Sequence, residues 1–339
     1  MSLERDRSLD TISGIMIIWM VILHSFQWGN LTGSMIYIFL LKCLYFFMSW
    51  FYYKTGFLYN KGKGLSMTFK KGLDQLITPM LIWTTVGYLL TIPGLLMGNY
   101  PLWKIPIAPL FFLVSSGDTI GNSPLWFLLS LFFIKIVFPF IARVNLNLKK
   151  IIAISLLCLS WVFEKNNIKI PFGLHSFPLG LFFTLSGLIC KEFRVPDRII
   201  KSGLWLVLPY IVLSIFFASY VDFHNNNLVY GNYWLFTLNA LFAINLCLVL
   251  FREVNLKILS WIGEKSLVYL VIHWPIFFLI KISFVFLNIS TENYLYVVSL
   301  FVIAICISTL IAKFIPYKYL GLQSSLIVNL NTKIISERN

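Results

Sequence analysis

"SLDTISGIMIIWMVILHSFQWG", Ser8–Gly29, is an almost unbroken apolar run that carries Asp10 at one end and His24 near the other. About 20 apolar residues coiled as a helix match the ~30 Å hydrocarbon layer, and a helix pairs its own backbone groups there. At about 100° per residue, Asp10, Ser13, Ile17, Met20 and His24 fall on one stripe, with Gln27 beside it. The stripe is polar at both ends. His24 lies about 21 Å along the axis from Asp10, too far for the two to touch. Asp10 reads equally as a carboxylate favoured by the helix dipole and as part of a site. His24 favours function, because ionisable groups inside a membrane usually face a cavity or a partner.

The rest of the chain has the same character. Its 339 residues are 59% hydrophobic and 12% charged, with mean hydropathy +0.83, whereas soluble domains carry about 25% charged residues. Continuous runs rich in Phe, Leu and Ile exclude a membrane barrel, whose short strands alternate in polarity. The fold class is therefore all-α, a polytopic integral membrane protein with about ten transmembrane helices. The runs fall at about 10–28, 35–59, 77–93, 123–141, 151–163, 174–190, 203–220, 233–251, 267–286 and 294–314. The fifth is short for a span. The connection 94–122 contains "PLWKIPIAPLFFL", which is too proline-broken to span and reads as a re-entrant or interfacial loop. One membrane domain, 1–315, is followed by a short tail, 316–339. There is no internal repeat.

A net charge of +14 would suggest nucleic acid in a soluble protein. Here most Lys and Arg fall in the loops on the N-terminal side, and the opposite loops hold Lys104, Lys165 and Lys169. That asymmetry places both termini in the cytoplasm and makes anionic lipid, rather than nucleic acid, the partner of the charge. Cys43, Cys158, Cys190, Cys247 and Cys306 sit in or beside apolar runs with neither disulfide nor metal spacing, so no metal is expected. "ERDR" precedes the first span and no small-residue cleavage site follows it, so the first helix reads as retained.

A second histidine stands in "WIGEKSLVYLVIHWPIFFLI", where Ser266, Tyr269 and His273 share a helical face. Pro275 cannot donate to the Val271 carbonyl, which needs another donor. His273 reads equally as a structural interhelical bond and as a site residue. His175 and His224 are read as solvated or interfacial. Lys54, Lys135 and Lys281 lie near helix ends, from which their ammonium groups are expected to reach the headgroups. Lys42 lies deeper, and Tyr45, Ser49 and Tyr52 continue its face, so this stripe lines either an aqueous cavity or a helix contact.

The order Arg5, Leu9, Asp10, Gly14, an Ile- and Val-rich run and His24 resembles the opening of the bacterial membrane acyltransferase family 3, the O-acetylases of cell-surface polysaccharides. "FFMSWFYYKTGFLY" with Thr55 and Gly56, "SPLWFLLSLFF" around Trp126, "FPLGLFFTLSGLICKEF" and "LSWIGEKSLVYLVIHWPIF" are similar to further family segments, in the same order. The resemblance covers residues 5 to about 314. It implies transfer of an acetyl or short acyl group from cytoplasmic acyl-CoA, a co-substrate rather than a bound cofactor. The acceptor would be a hydroxyl of a surface glycan or lipid-linked sugar, and the setting the bacterial inner membrane. His24 would be the general base or acyl relay. Asp10, Ser13, Arg5 and Lys71 would lie on the donor side, and Lys42, Tyr45, Trp126, Ser266, Tyr269 and His273 at the acceptor pocket.

Two departures stand out. The family usually has Arg or Lys eleven positions before the histidine, where this chain has Ser13, and an Arg-containing loop where "FKKGLDQLITP" offers Lys70, Lys71 and Gln75. Either other cations, such as Lys71 or Lys42, meet the donor, or this member is weakened or altered. A transporter or flippase for an anionic or glycan substrate is the alternative reading, with Lys42 and the kinked ninth span as its binding elements.

Overall fold

The computed structural model describes residues 7–60, 64–98, 101–195, 216–217, 219–252, 254 and 256–322. Arg5, almost all of the expected span 203–220 and the tail beyond residue 322 lie outside them. Tyr220, the last residue of that expected span, opens a β-strand instead.

In chain order the helices are α1 (Arg7–Trp28), α2 (Met35–Cys43), α3 (Phe47–Phe57) and α4 (Leu65–Gly72), which passes through a π-turn at Leu73–Ile77 into α5 (Thr78–Met97). They continue with α6 (Ala108–Ser115), α7 (Trp126–Ile141), α8 (Leu146–Lys165) and α9 (Phe177–Glu192). The hairpin of β1 (Tyr220–Asp222) and β2 (Asn227–Tyr230) follows, antiparallel with Val221 opposite Leu228. The last helices are α10 (Tyr233–Leu250), α11 (Lys257–Glu264), α12 (Ser266–Phe286) and α13 (Tyr294–Phe314). Among the described residues, nine helical segments are long and apolar enough to cross a bilayer. The protein is a multi-pass, predominantly helical membrane protein. The membrane face at which α1 begins is termed the near face, and the opposite one the far face.

Three differences from expectation have local causes. The fifth span is not short. It starts at Leu146, capped by the Asn145 side chain, because Lys149 is buried in an ion pair with Glu192 at 2.8 Å rather than excluded from the helix. The second span is broken. Leu44 leaves helical geometry between α2 and α3, so Lys42 and Tyr45 do not share one continuous face. The proline-rich connection contains a 3₁₀ turn at Leu102–Lys104 and then α6.

α1 and α9 are the most buried spans, whereas α5 and α8 present most of their surface outward. Two close glycine crossings fix the centre. A side chain at Gly14 would strike the Leu259 carbonyl of α11, and one at Gly263 the Asp10 carbonyl of α1. Gly56 of α3 and Gly187 of α9 meet the backbone of the opposite helix at Thr184 and Tyr53 in the same way. Small residues allow such close backbone approach within a membrane. Ser13 and Lys54, each beside one of these crossings, are thereby held on facing walls.

Candidate active site

Two cavities lie one beyond the other along α1. The near-face cavity, about 430 Å³, is lined by Ser13, Ile17, Lys54, Lys71, Gln75, Lys135 and Ser266 among others, with no carboxylate among the described residues of its wall. The far-face cavity, about 180 Å³, is lined by His24, Gln27, Tyr37, Trp126, Asp222, His224 and Trp274 among others. Met20, Met48, Phe127 and Leu270 line both, so four apolar side chains form the partition.

On the near side Ser13 is fully buried. Its hydroxyl donates to the Leu9 carbonyl at 2.8 Å and accepts from Trp50 Nε1 at 3.0 Å and from Lys54 Nζ at 2.8 Å. One donor and two acceptor positions are thus all used. Lys54 Nζ also bonds Asp10 Oδ1 at 3.2 Å, with side-chain exposures of 18% and 7% for the pair. Lys54 therefore turns inward and does not reach for the headgroups, because a buried carboxylate and a hydroxyl from α1 offer it partners. The cation arrives at Ser13 from the neighbouring helix. Asp10 balances it.

On the far side the two histidines predicted separately meet. His24 Nδ1 lies 3.0 Å from His273 Nε2, with the rings stacked at 9°, and His273 Nδ1 lies 2.8 Å from the Tyr269 carbonyl. A carbonyl only accepts, so His273 Nδ1 carries hydrogen and its Nε2 accepts from His24 Nδ1–H. His24 Nε2 is then left with its lone pair, on the residue that lines the cavity. The carbonyl freed by Pro275 also finds its donor, since Asn122 Nδ2 bonds Val271 O at 2.8 Å.

His175 is not solvated, and His224 is half-buried in the wall of the far cavity. His175 is buried, and its Nε2 donates to the His224 carbonyl at 2.9 Å. His224 Nε2 pairs with Asp118 Oδ1 at 3.1 Å, and its ring stacks on Trp126 at 5.0 Å between centroids. The hydrogen bond from His224 holds the Asp118 carboxyl below the usual carboxylate range, against the opposing effect of burial. No group of three or more potential metal ligands occurs among the described residues.

The other expected site residues are spread out. Lys71 and Ser266 line the near cavity and Trp126 the far one. Lys42 and Tyr45 line neither; Tyr45 packs on Phe46 and Phe236. Tyr269 bonds Thr309 Oγ1 at 2.8 Å, and His273 stands behind His24. Sequence reading missed Lys54, Asp118, His224 and Trp274, the last edge-on to His24 at 5.3 Å. The one available signal for Lys54 was a lone acid, Asp10, on the adjacent span.

Residues 6–313 match the family model of the acyltransferase domain of acyltransferase family 3. The chain belongs to that family. Comparison with curated proteins and with solved structures gave no match. In this family 3 acyltransferase the match spans α1 to α13, and so takes in both cavities and the partition between them.

Proposed function

We propose that the protein transfers an acetyl or short acyl group from acyl-CoA to a hydroxyl of a cell-surface glycan or lipid-linked sugar, in the bacterial inner membrane with both termini cytoplasmic. The observation that carries this reading is His24 in the far cavity, one four-residue partition away from a cationic near cavity. Lys54, Lys71 and Lys135 give the near cavity the charge that an anionic, phosphate-bearing donor needs. Its apolar upper wall suits a thioester arm reaching towards His24. Lys54, delivered from α3 to Ser13, supplies the cation that the family usually carries on α1.

His24 Nε2 takes the proton of the acceptor hydroxyl as its oxygen attacks the thioester carbonyl carbon. Collapse of the tetrahedral adduct breaks the carbon–sulfur bond and expels a thiolate. The proton on His24 then passes to that sulfur, so the products are ester and free thiol and the imidazole is restored. During the step His273 Nε2 accepts from His24 Nδ1–H and holds the ring in one orientation.

Purified protein with labelled acetyl-CoA and a panel of glycan acceptors tests the reading. Wild type is expected to release CoA and acylate an acceptor, and His24→Ala to lose about 10²–10⁴-fold in rate. Equal rates would end the assignment of His24. Two cavities end to end also describe a closed conduit, so substrate crossing vesicles without any CoA release would favour a transporter.

A further inference from the structure

The far cavity holds a second imidazole that acyl transfer by His24 leaves unused. His224 is 17% exposed in its side chain and is fixed from several sides. Its Nε2 faces Asp118, whose other oxygen accepts from Ser116 Oγ at 2.8 Å. Its backbone N–H donates to Asp222 Oδ1 at 3.0 Å, its carbonyl accepts from His175, and its ring lies on Trp126. A carboxylate only accepts, so Nε2 carries hydrogen, and in the neutral form of the ring Nδ1 is the nitrogen with an accepting lone pair. Among the described residues no side chain or backbone group bonds that nitrogen.

We propose that the Asp118–His224 pair anchors a second hydroxyl of the acceptor, and so determines which hydroxyl of a sugar ring is presented to His24. The inference rests on the acyl-transfer reading above. Both imidazoles line one cavity of about 180 Å³, below the roughly 300 Å³ at which pockets for larger ligands begin, so the space suits one ring rather than a chain. Tyr37, Trp126 and Trp274 make part of the wall aromatic, which suits the apolar carbons of such a ring. Asp222 in the wall and Asp118 behind His224 disfavour an anionic acceptor and favour a neutral polyol. No covalent bond is made or broken at His224. A site built to bond a hydroxyl discriminates strongly against a ligand that lacks one there.

The test uses full-length protein in nanodiscs, acetyl-CoA, and the p-nitrophenyl glycosides of glucose, galactose, mannose and N-acetylglucosamine. For His224→Gln and Asp118→Asn, KM for the acceptor is expected to rise about tenfold, the loss of one buried hydrogen bond. The ester is expected to spread over more than one ring position by NMR, while a melting curve shows that the variants remain folded. As a measurement that needs no variant, the preferred glycoside is expected to protect His224 of the wild type from diethylpyrocarbonate. Unchanged KM and position of acylation in the folded variants would overturn the anchor, as would acyl transfer without protection of His224. Protection of His224 without any acyl transfer would leave the anchor standing and sink the transferase reading instead. Neither transfer nor protection would sink both.

Discussion

At Ser13 the hydroxyl has no remaining capacity for another partner, and Lys54 already brings a positive charge to it. Ser13→Arg is therefore expected to crowd a buried site and set two cations side by side, lowering thermal stability without raising the rate. A gain in rate would mean that Lys54 does not supply the charge. Lys54→Met takes the ammonium away from both Asp10 and Ser13, and losing one partner of a buried ion pair is expected to lower stability. A melting curve should show that loss, and Lys54→Met with Asp10→Asn should recover much of it. Lys54→Arg, which keeps the charge, should retain a KM for acetyl-CoA nearer wild type than Lys54→Met does. On the far side, His273→Gln can still accept from His24 Nδ1–H, whereas His273→Leu cannot. We expect kcat to fall about 10²-fold in His273→Leu and markedly less in His273→Gln; equal losses would deny His273 its orienting role. The stripes that carry His24 and His273 were legible in the sequence because helical spacing and an intramembrane location are visible in one dimension, but their contact with each other was not. Lys54 was misread because distance from a helix end says nothing of a carboxylate on the next helix. The partners of His224 were not legible, because "DFHNNN" has the composition of a solvated loop, while the hairpin that folds it against Trp126 is a tertiary fact.

At the scale of elements, the site depends on where helices cross and where one of them lacks a hydrogen bond. Gly14→Val or Gly263→Val would force α1 and α11 apart, since the added carbons would overlap backbone rather than a flexible side chain. Either change is expected to abolish both folded yield and activity, and normal yield with normal rates would refute the crossing. The Asn122–Val271 bond permits a cleaner test. Asn122→Leu leaves the buried Val271 carbonyl unpaired, at a cost of about 1–3 kcal/mol. Adding Pro275→Ala restores a helical N–H to that carbonyl, so the double variant should be more stable than Asn122→Leu alone. If the two losses simply add in a denaturation series, Asn122 does something other than replace the missing donor. The need for a donor at Val271 was readable from Pro275 alone, but its source, far away in sequence at the mouth of α7, was not. The apolar run 35–59 likewise announced a span but not its break at Leu44, because nothing in its composition separates a bent helix from a straight one.

Over the whole molecule, the expected spans were legible wherever the described residues allow comparison, because the thickness of hydrocarbon imposes a length that the sequence must meet. The two cavities were not, since a cavity is what several helices leave between them. Their partition makes a prediction about size. Met48→Ala should open room beside His24 and raise kcat/KM for butyryl-CoA relative to acetyl-CoA, whereas Met20→Trp should depress both donors together. An unchanged donor preference in Met48→Ala would remove this partition from the path of the acyl group. Met20, Met48, Phe127 and Leu270 have one further consequence. A protein reached by water-borne molecules from opposite sides is, without a stopper, a leak that would discharge the ion gradients of its cell. On the proposed reading, in which donor and acceptor arrive from opposite sides, two thioethers, a phenyl ring and an isobutyl group would meet that danger by insulating, much as the lipid around them does. Their greasiness would then matter to the survival of the cell even when no reaction is under way.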